Sequence, residues 1–258
     1  MEKPLILVTN DDGINAPGIR ELIDIMNEIG EVYVVAPDKP QSGMGHAVTI
    51  HSTIRAEKMY IENDSRREWA CSGTPVDCVK LAIDQLLPRK PDICVSGINH
   101  GSNSSINVIY SGTMSAAIEG GIEGIPSVGF SLCDFSYTAN FKAARKHIKS
   151  ICENILKYGL PEGVVLNVNI PKAEEKDIKG IKICRQANAH WDEEFDRRID
   201  PKGKTYYWMT GNWCNTDKGD DTDEWALDNN FISIVPVQFD LTAYHFMEKI
   251  KQWNFEIK

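Results

Sequence analysis

The sequence has no C-x-x-C pair among its seven cysteines, Cys71, Cys78, Cys94, Cys133, Cys152, Cys184 and Cys214. That spacing and the odd count argue against a disulfide framework or a thiolate zinc site. Several lie in apolar runs such as Asp92-Ile93-Cys94-Val95, which reads as buried, reduced thiols of a cytoplasmic protein. No apolar run approaches the ~20 residues of a membrane span, and Leu5-Ile6-Leu7-Val8 is too short for a signal peptide. Basic residues are in deficit: 28 Lys and Arg face 37 Asp and Glu, a net charge of -9. A nucleic-acid polymer is therefore not an expected partner, because its binding rests on neutralising many phosphates. A small phosphorylated ligand at one local site stays open. No G-x-G-x-x-G follows the first strand, and Gly43-Met44-Gly45 is only a fragment of one. No G-x-x-x-x-G-K-S/T occurs, and neither Ser42 nor Ser111 sits in G-x-S-x-G. These absences disfavour a dinucleotide cofactor, a P-loop triphosphatase and a serine hydrolase.

What is present is strand-helix alternation. The 258 residues suffice for one large α/β domain. Leu5 to Thr9, Glu31 to Ala36, Ile93 to Ser96, Ser127 to Ser131 and Val164 to Ile170 are short apolar runs, as strands buried on both faces require. Between them, Pro17 to Ile29 shows helical spacing with Gly30 as a stop. Pro75 to Leu87 has Thr74 as cap and Pro75 at its first position. Thr113 to Gly120 and Ala139 to Tyr158 complete the helices. The expected fold is α/β: a Rossmann-like, doubly wound, mostly parallel sheet over about residues 1–170. After Pro171 the chain becomes charged, with short apolar runs at Ile181 to Cys184, Thr205 to Met209 and Phe231 to Val235. Residues 171–258 are expected to form a hairpin-rich extension closed by a helix over Ala243 to Trp253, all within a single domain spanning residues 1–258. Phe231, Phe239, Phe246, Trp253 and Phe255 mark that extension as an oligomer contact. The acidic cluster Asp217, Asp220, Asp221, Asp223 and Glu224 lacks calcium-loop spacing and reads as a solvated loop.

Three polar loops follow the first three strands: Asn10-Asp11-Asp12-Gly13, the segment Ala36 to Gly43 containing Ser42, and Ser96 to Asn103 containing Asn99. Taken singly, each is compatible with an ordinary turn. If the strands are parallel, all three loops leave from carboxyl ends, where an open doubly wound sheet forms its ligand crevice. Asp11, Asp12, Ser42 and Asn99 then converge as an all-oxygen set that suits Mg2+ or Mn2+. Ser111-Gly112-Thr113 opens a helix of small residues, and such a start is an anion site or a plain N-cap. A phosphate dianion beside Asp11 and Asp12 is repelled by about 4 kcal/mol per charge pair at ~4 Å and a dielectric of about 20. A helix terminus returns only roughly 0.3–2 kcal/mol. A divalent cation reverses that balance and activates water.

With those residues assembled, the sequence resembles the SurE (survival protein E) family of 5'-nucleotidases. The matching segments include Ile6 to Ile14, Ala36-Pro37-Asp38 with Gln41-Ser42-Gly43, Gly73 to Val79, Ser96 to Asn103 and Tyr110 to Thr113. Further matches are Ala116 to Gly120, Tyr206-Tyr207-Trp208, and Ser233 to Pro236 leading to Asp240-Leu241-Thr242. The resemblance implies one divalent ion per subunit on Asp11, Asp12, Ser42 and Asn99. It implies catalytic roles for Asp11, Asp12 and Asn99, and phosphate contacts from Asn10, Gly43, Asn99, Ser111, Gly112 and Thr113. It also implies hydrolysis of nucleoside monophosphates, with 3'-nucleotides and short polyphosphate as substrates left unranked. A cytoplasmic homodimer or homotetramer is expected. Met114 stands where a smaller aliphatic residue is usual, and Val235 where threonine is usual. A phosphotransferase with Asp11 as nucleophile and a nucleotide sensor without turnover remain as alternatives.

Overall fold

A computed structural model describes residues 3–59, 67–136 and 138–255. Its first parallel strand, β1 (Leu5–Thr9), is fully buried and sits mid-sheet between β2 (Glu31–Pro37) and β5 (Ile93–His100). Beyond β2 lie β4 (Arg67–Cys71), parallel to it, and β3 (Ala56–Lys58), antiparallel at the edge. Beyond β5 lie β6 (Ser127–Leu132) and β7 (Val164–Ile170), both parallel. The chain thus winds outward from β1 to β2 and β4, then returns to build β5, β6 and β7 on the other side. The strand order reverses between β1 and β5, and that switch point opens a crevice at the carboxyl ends.

Alternation in β1 serves two cores at once, because successive side chains leave opposite faces. Ile6 and Val8 pack beneath α1 (Pro17–Asn27) and α4 (Arg145–Tyr158). Leu7 packs with Val35, Cys78 and Ala116, beneath α2 (Pro75–Leu81) and α3 (Gly112–Ile122). Helices therefore cover both faces, as doubly wound sheets require. Met114, on α3, is fully buried, so its larger side chain is accommodated in the core. All seven cysteines are free; Cys71, Cys78, Cys94, Cys152 and Cys184 are buried. Among the described residues no helix is long and apolar enough to cross a membrane.

Several elements depart from the sequence expectation. The helix expected to Leu87 is α-helical only to Leu81 and ends in a wider turn over Ala82–Leu86. Pro88 accounts for this, since a residue before proline avoids the helical region and Leu87 is extended. The helix expected from Ala139 starts as a tighter turn at Phe141–Ala144, capped by Asn140. β5 runs past Ser96 to His100 through a bulge at residues 96–99. Gly97 makes the bulge, at φ 126°, with the Phe130 carbonyl where a Cβ would stand.

The region after Pro171 forms one hairpin, not several. β8 (Ile181–Ile183) and β11 (Ile232–Gln238) join the main sheet, with β11 antiparallel to β7. The hairpin itself pairs β9 (Ala189–Ile199) with β10 (Thr205–Asn215) and projects as a separate two-stranded ribbon. A short α5 (Asp223–Asp228) precedes β11, and α6 (Tyr244–Ile250) is shorter than the closing helix expected. Phe231 and Phe239 pack against the subunit's own core, whereas Trp253 and Phe255 are exposed.

One packing contact ties the fold to the crevice. A Cβ at Gly18 on α1 would lie 2.0 Å from the carbonyl oxygen of Ile98, the residue before Asn99. Alanine in a helix normally gains stability over glycine. Here we expect Gly18→Ala to lose about 1–3 kcal/mol by overpacking, measured by urea unfolding. Unchanged or increased stability would show that α1 does not press on the β5 bulge.

Candidate active site

Asp11 lies two residues past the end of β1 and is 4% exposed. It packs against the first turn of α3, where a Cβ on Gly112 would come 2.7 Å from the Asp11 Cβ. The Thr113 hydroxyl donates to Asp11 Oδ1. Burial pushes the Asp11 carboxyl up to about 6, the Thr113 hydroxyl bond opposes this, and the neighbouring Asp12 charge adds to the rise. Asp12 points the other way: its Oδ2 accepts from the His100 N–H at 3.0 Å. Its carboxyl is also raised, chiefly by burial. Two adjacent carboxylates at a strand end thus reach different walls of the crevice.

The Ser42 loop is fastened to the Asp11 backbone and to Tyr110, just before α3. The Gln41 N–H donates to the Asp11 carbonyl at 2.7 Å, and the Gly45 N–H to the Tyr110 carbonyl at 3.2 Å. Farther along, the His46 ring meets the Glu119 carboxylate at 2.8 Å. Glu119 lies on α3, is 2% exposed, and also pairs with Lys80 on α2. Burial works to raise its carboxyl, but His46 and Lys80 together hold it below the ordinary range.

On the β5 side, Asn99 Nδ2 donates to the Gly101 carbonyl at 2.8 Å, which leaves the amide oxygen free to accept. The following loop rests on buried asparagines of β7. The Asn103 N–H donates to Asn169 Oδ1, and Asn167 Nδ2 donates to the Asn103 carbonyl, both at 2.8 Å.

Asp11, Ser42, Gly43, Asn99 and Ser111 line one pocket of about 500 Å³. Asn10, Asp12, Gly112 and Thr113 do not line it. Asn10 is wholly buried, donating to the Gly13 carbonyl with its Oδ1 left without a partner. Thr113 is wholly buried and spends its hydroxyl on Asp11. Ser111 caps α3, its oxygen accepting from the Met114 N–H, and retains its hydroxyl hydrogen for a ligand.

Among the described residues no three His, Cys, Asp or Glu side chains gather as a metal set. The oxygens of Asp11, Asp12, Ser42 and Asn99 fit a hard divalent ion in donor type. Two carboxyls raised by burial, one of them also by its neighbour, are groups that a cation would return to the charged form.

The acidic cluster is a solvated loop only in part: Asp220 and Asp221 are exposed. Asp223 is 1% exposed and accepts from the N–H groups of Ser105, Ala187 and Glu224. Asp217 and Asp221 hold the Arg185 guanidinium. Glu224 faces the pocket, together with Asn107, Tyr110, Phe135, Trp191 and Trp213. Sequence reasoning missed this half, although Trp191 and Trp213 are an unusual pair in a polar ribbon. It also missed Asn167 and Asn169, whose two-residue spacing in an apolar strand marks a polar spot on one face.

A sequence model of the family described as Survival protein SurE matches residues 6–193. This chain belongs to the SurE family. It is 65% identical over 254 residues to a protein of Christiangramia forsetii named 5'-nucleotidase SurE, covering 98% of each. A protein of the same name from Flavobacterium psychrophilum is 64% identical over 254 residues, covering 98% of this chain and 99% of the relative. The crystal structure of the SurE protein from Aquifex aeolicus superposes with a TM-score of 0.84 at 39% identity, covering 96% of this chain and 98% of that one. Membership in the SurE family accounts for the α/β fold and for the order in which the three strand-end loops occur.

The Thr113–Asp11 bond generates a prediction. Thr113→Val removes the donor, and if Asp11 holds a cation the loss of such a supporting contact should cost about 10–100-fold in activity. Thr113→Ser should retain most of it. Steady-state kinetics on both, with matched circular dichroism, checks this; a fully active valine variant refutes it.

Proposed function

We propose that this chain hydrolyses nucleoside 5'-monophosphates to nucleoside and phosphate, with one Mg2+ or Mn2+ ion held by Asp11, Asp12, Ser42 and Asn99. The enzyme is a nucleotide phosphatase of the 5'-nucleotidase class, as its end-to-end relatives are named. The observation that carries the residue-level reading is the shared pocket. Asp11, Ser42, Asn99 and Ser111 share its lining with Trp191 and Trp213, whose rings can hold a nucleoside. Nucleoside 3'-monophosphates present the same two parts and fall within the same proposal.

The chain's own groups divide the work. Bound among these oxygens, the cation offsets the carboxylate charge towards phosphate and polarises the phosphoryl oxygens. The Ser111 hydroxyl, at the positive end of α3, donates to a phosphate oxygen. Asp11 is a poor nucleophile, since Thr113 occupies one oxygen and the carboxylate lies buried against the start of α3, in the space a Cβ on residue 112 would take. Asp12 keeps one oxygen free of the bond from His100. It is the group that accepts the proton of an attacking water. The reaction is therefore one displacement at phosphorus, with no aspartyl phosphate.

Two readouts test this. Adenosine 5'-phosphorothioate carrying 16O and 18O stereospecifically and cleaved in 17O water should give inversion in the released thiophosphate, whereas a covalent aspartyl intermediate gives retention. Asp12→Asn should lose at least about 100-fold in turnover while binding AMP. Absence of phosphate release from AMP with every divalent metal tried would sink the proposal, and retention would return Asp11 as nucleophile.

We also infer a homodimer or homotetramer. The outer ribbon exposes Phe195, Tyr207, Trp208 and Met209, and the C-terminal segment exposes Leu241 and Trp253. Apolar surface of that extent tends to mark an interface. Sedimentation velocity at micromolar concentration should give a species of two or four chains; a monomer overturns the inference.

A further inference from the structure

The pocket is larger than a phosphate and one ion require. At about 500 Å³ it has room for a whole small ligand, and it extends from Asp11 and Ser111 to Leu227 and Asp228. The far half is built from fixed parts. Trp191 and Trp213 meet edge to face with centroids 5.3 Å apart. Both indole N–H groups are already used. Trp191 donates to Asn107 Oδ1 and Trp213 to Glu224 Oε2, each at 3.0 Å. What the rings have left is their apolar surface, on which a base can stack.

The charge of this half is of one sign. Glu224 and Asp228 line it, and no Lys or Arg among the described residues lines the pocket. Cys133 lies in the same wall. Burial pushes its thiol up to about 12, and the charges of Glu224, Asp223 and Asp228 add to the push, against a Ser102 bond. Glu224 is anchored by the Ser104 hydroxyl on one oxygen and the Trp213 indole on the other. Burial raises the Glu224 carboxyl, against the bonds from Ser104 and Trp213; in its ionised form it accepts about four hydrogen bonds, so it retains acceptor capacity and has nothing to donate.

We propose that the far half of the pocket is a nucleoside subsite that doubles as a charge filter, with Glu224 as the residue that sets specificity. It takes an uncharged base presenting N–H donors and turns away a second phosphate. This rests on the phosphatase reading above and narrows it. The next phosphate of a polyphosphate chain would meet Glu224 and Asp228 with no cationic side chain in the lining to offset it. The amino edge of adenine meets the same acceptor favourably. Short polyphosphate therefore leaves the substrate list.

The test compares AMP with tripolyphosphate on the intact enzyme, wild type, Glu224→Gln and Asp228→Asn. Glutamine keeps the shape and an acceptor for Trp213. In wild type, kcat/KM for AMP should exceed that for tripolyphosphate by on the order of 100-fold or more. Glu224→Gln should raise KM for AMP about tenfold, with a smaller effect on kcat, and should raise tripolyphosphate turnover. Asp228→Asn, at a more exposed position, should raise tripolyphosphate turnover by a smaller factor. Adenosine alone should quench tryptophan emission in wild type, more weakly in Glu224→Gln, and tripolyphosphate should not displace it. Equal kcat/KM for the two substrates in wild type overturns the filter, as does a ratio that Glu224→Gln leaves unchanged. An enzyme that hydrolyses nothing defeats the phosphatase reading. Adenosine quenching and its loss in Glu224→Gln still decide whether the subsite exists.

Discussion

The carboxylate of Asp11 lodged against the first turn of α3 is the contact on which the site depends. A carboxylate this buried costs several kcal/mol unless it is hydrogen-bonded and faces positive charge. Here the Thr113 hydroxyl and the positive end of α3 supply part of that compensation. Neither is available unless the helix start can approach the end of β1. Gly112 permits this because the Asp11 side chain occupies the space of its Cβ. The small residues that follow, Ser115, Ala116 and Ala117, are buried and let the helix lie close to the sheet. Sequence composition, helix placement and carboxylate chemistry are thus one constraint.

From that contact the loops hold one another. The Asp11 carbonyl receives the Ser42 loop through Gln41, and the Asp12 carboxylate receives the end of β5 through His100. Tyr110, just before α3, receives the Ser42 loop a second time through Gly45. Each bond satisfies a backbone N–H that would otherwise need water in a crevice. Ser42 is itself exposed, yet it lies between two such anchors, with the Glu119–His46 pair beyond them. Order at an exposed position here comes from buried partners on neighbouring segments.

The strands that build the crevice were legible because burial on both faces leaves continuous apolar runs, and β1, β2, β6 and β7 begin where those runs begin. Asp11, Ser42, Asn99 and Ser111 were legible as a group because parallel strands bring their following loops to one edge. The edge pair β3 and β4 was not, since Ala56-Glu57-Lys58 and Arg67-Glu68-Trp69 carry no apolar run. The ribbon was read only in part. Ala189–Ile199 has solvent on both faces and is mostly polar, so no alternation marks it. Asp223 and Glu224 were misread because an acidic run normally stays in water. The N–H groups that hold Asp223 come from residues 105 and 187, a pairing that only the folded chain reveals.

The ribbon's first rungs belong to the pocket and its outer rungs do not. Trp191 and Trp213 face each other directly in register, and Asn107 and Glu224 hold their indoles. Ser105 fastens the chain just before them, its hydroxyl donating to the Ala187 carbonyl at 2.8 Å and accepting from the Ala189 N–H at 3.2 Å. Four residues farther out, Phe195 pairs with Met209 and both are exposed. A contact made at the tip would therefore act on the site only through the tryptophan rung. That rung is held from three sides, by the loop after β5, by α5 and by the opposing strand. The same bonds that give the pocket a rigid aromatic wall insulate it from whatever the outer ribbon touches, so one hairpin can serve an external contact and a ligand site without the two competing.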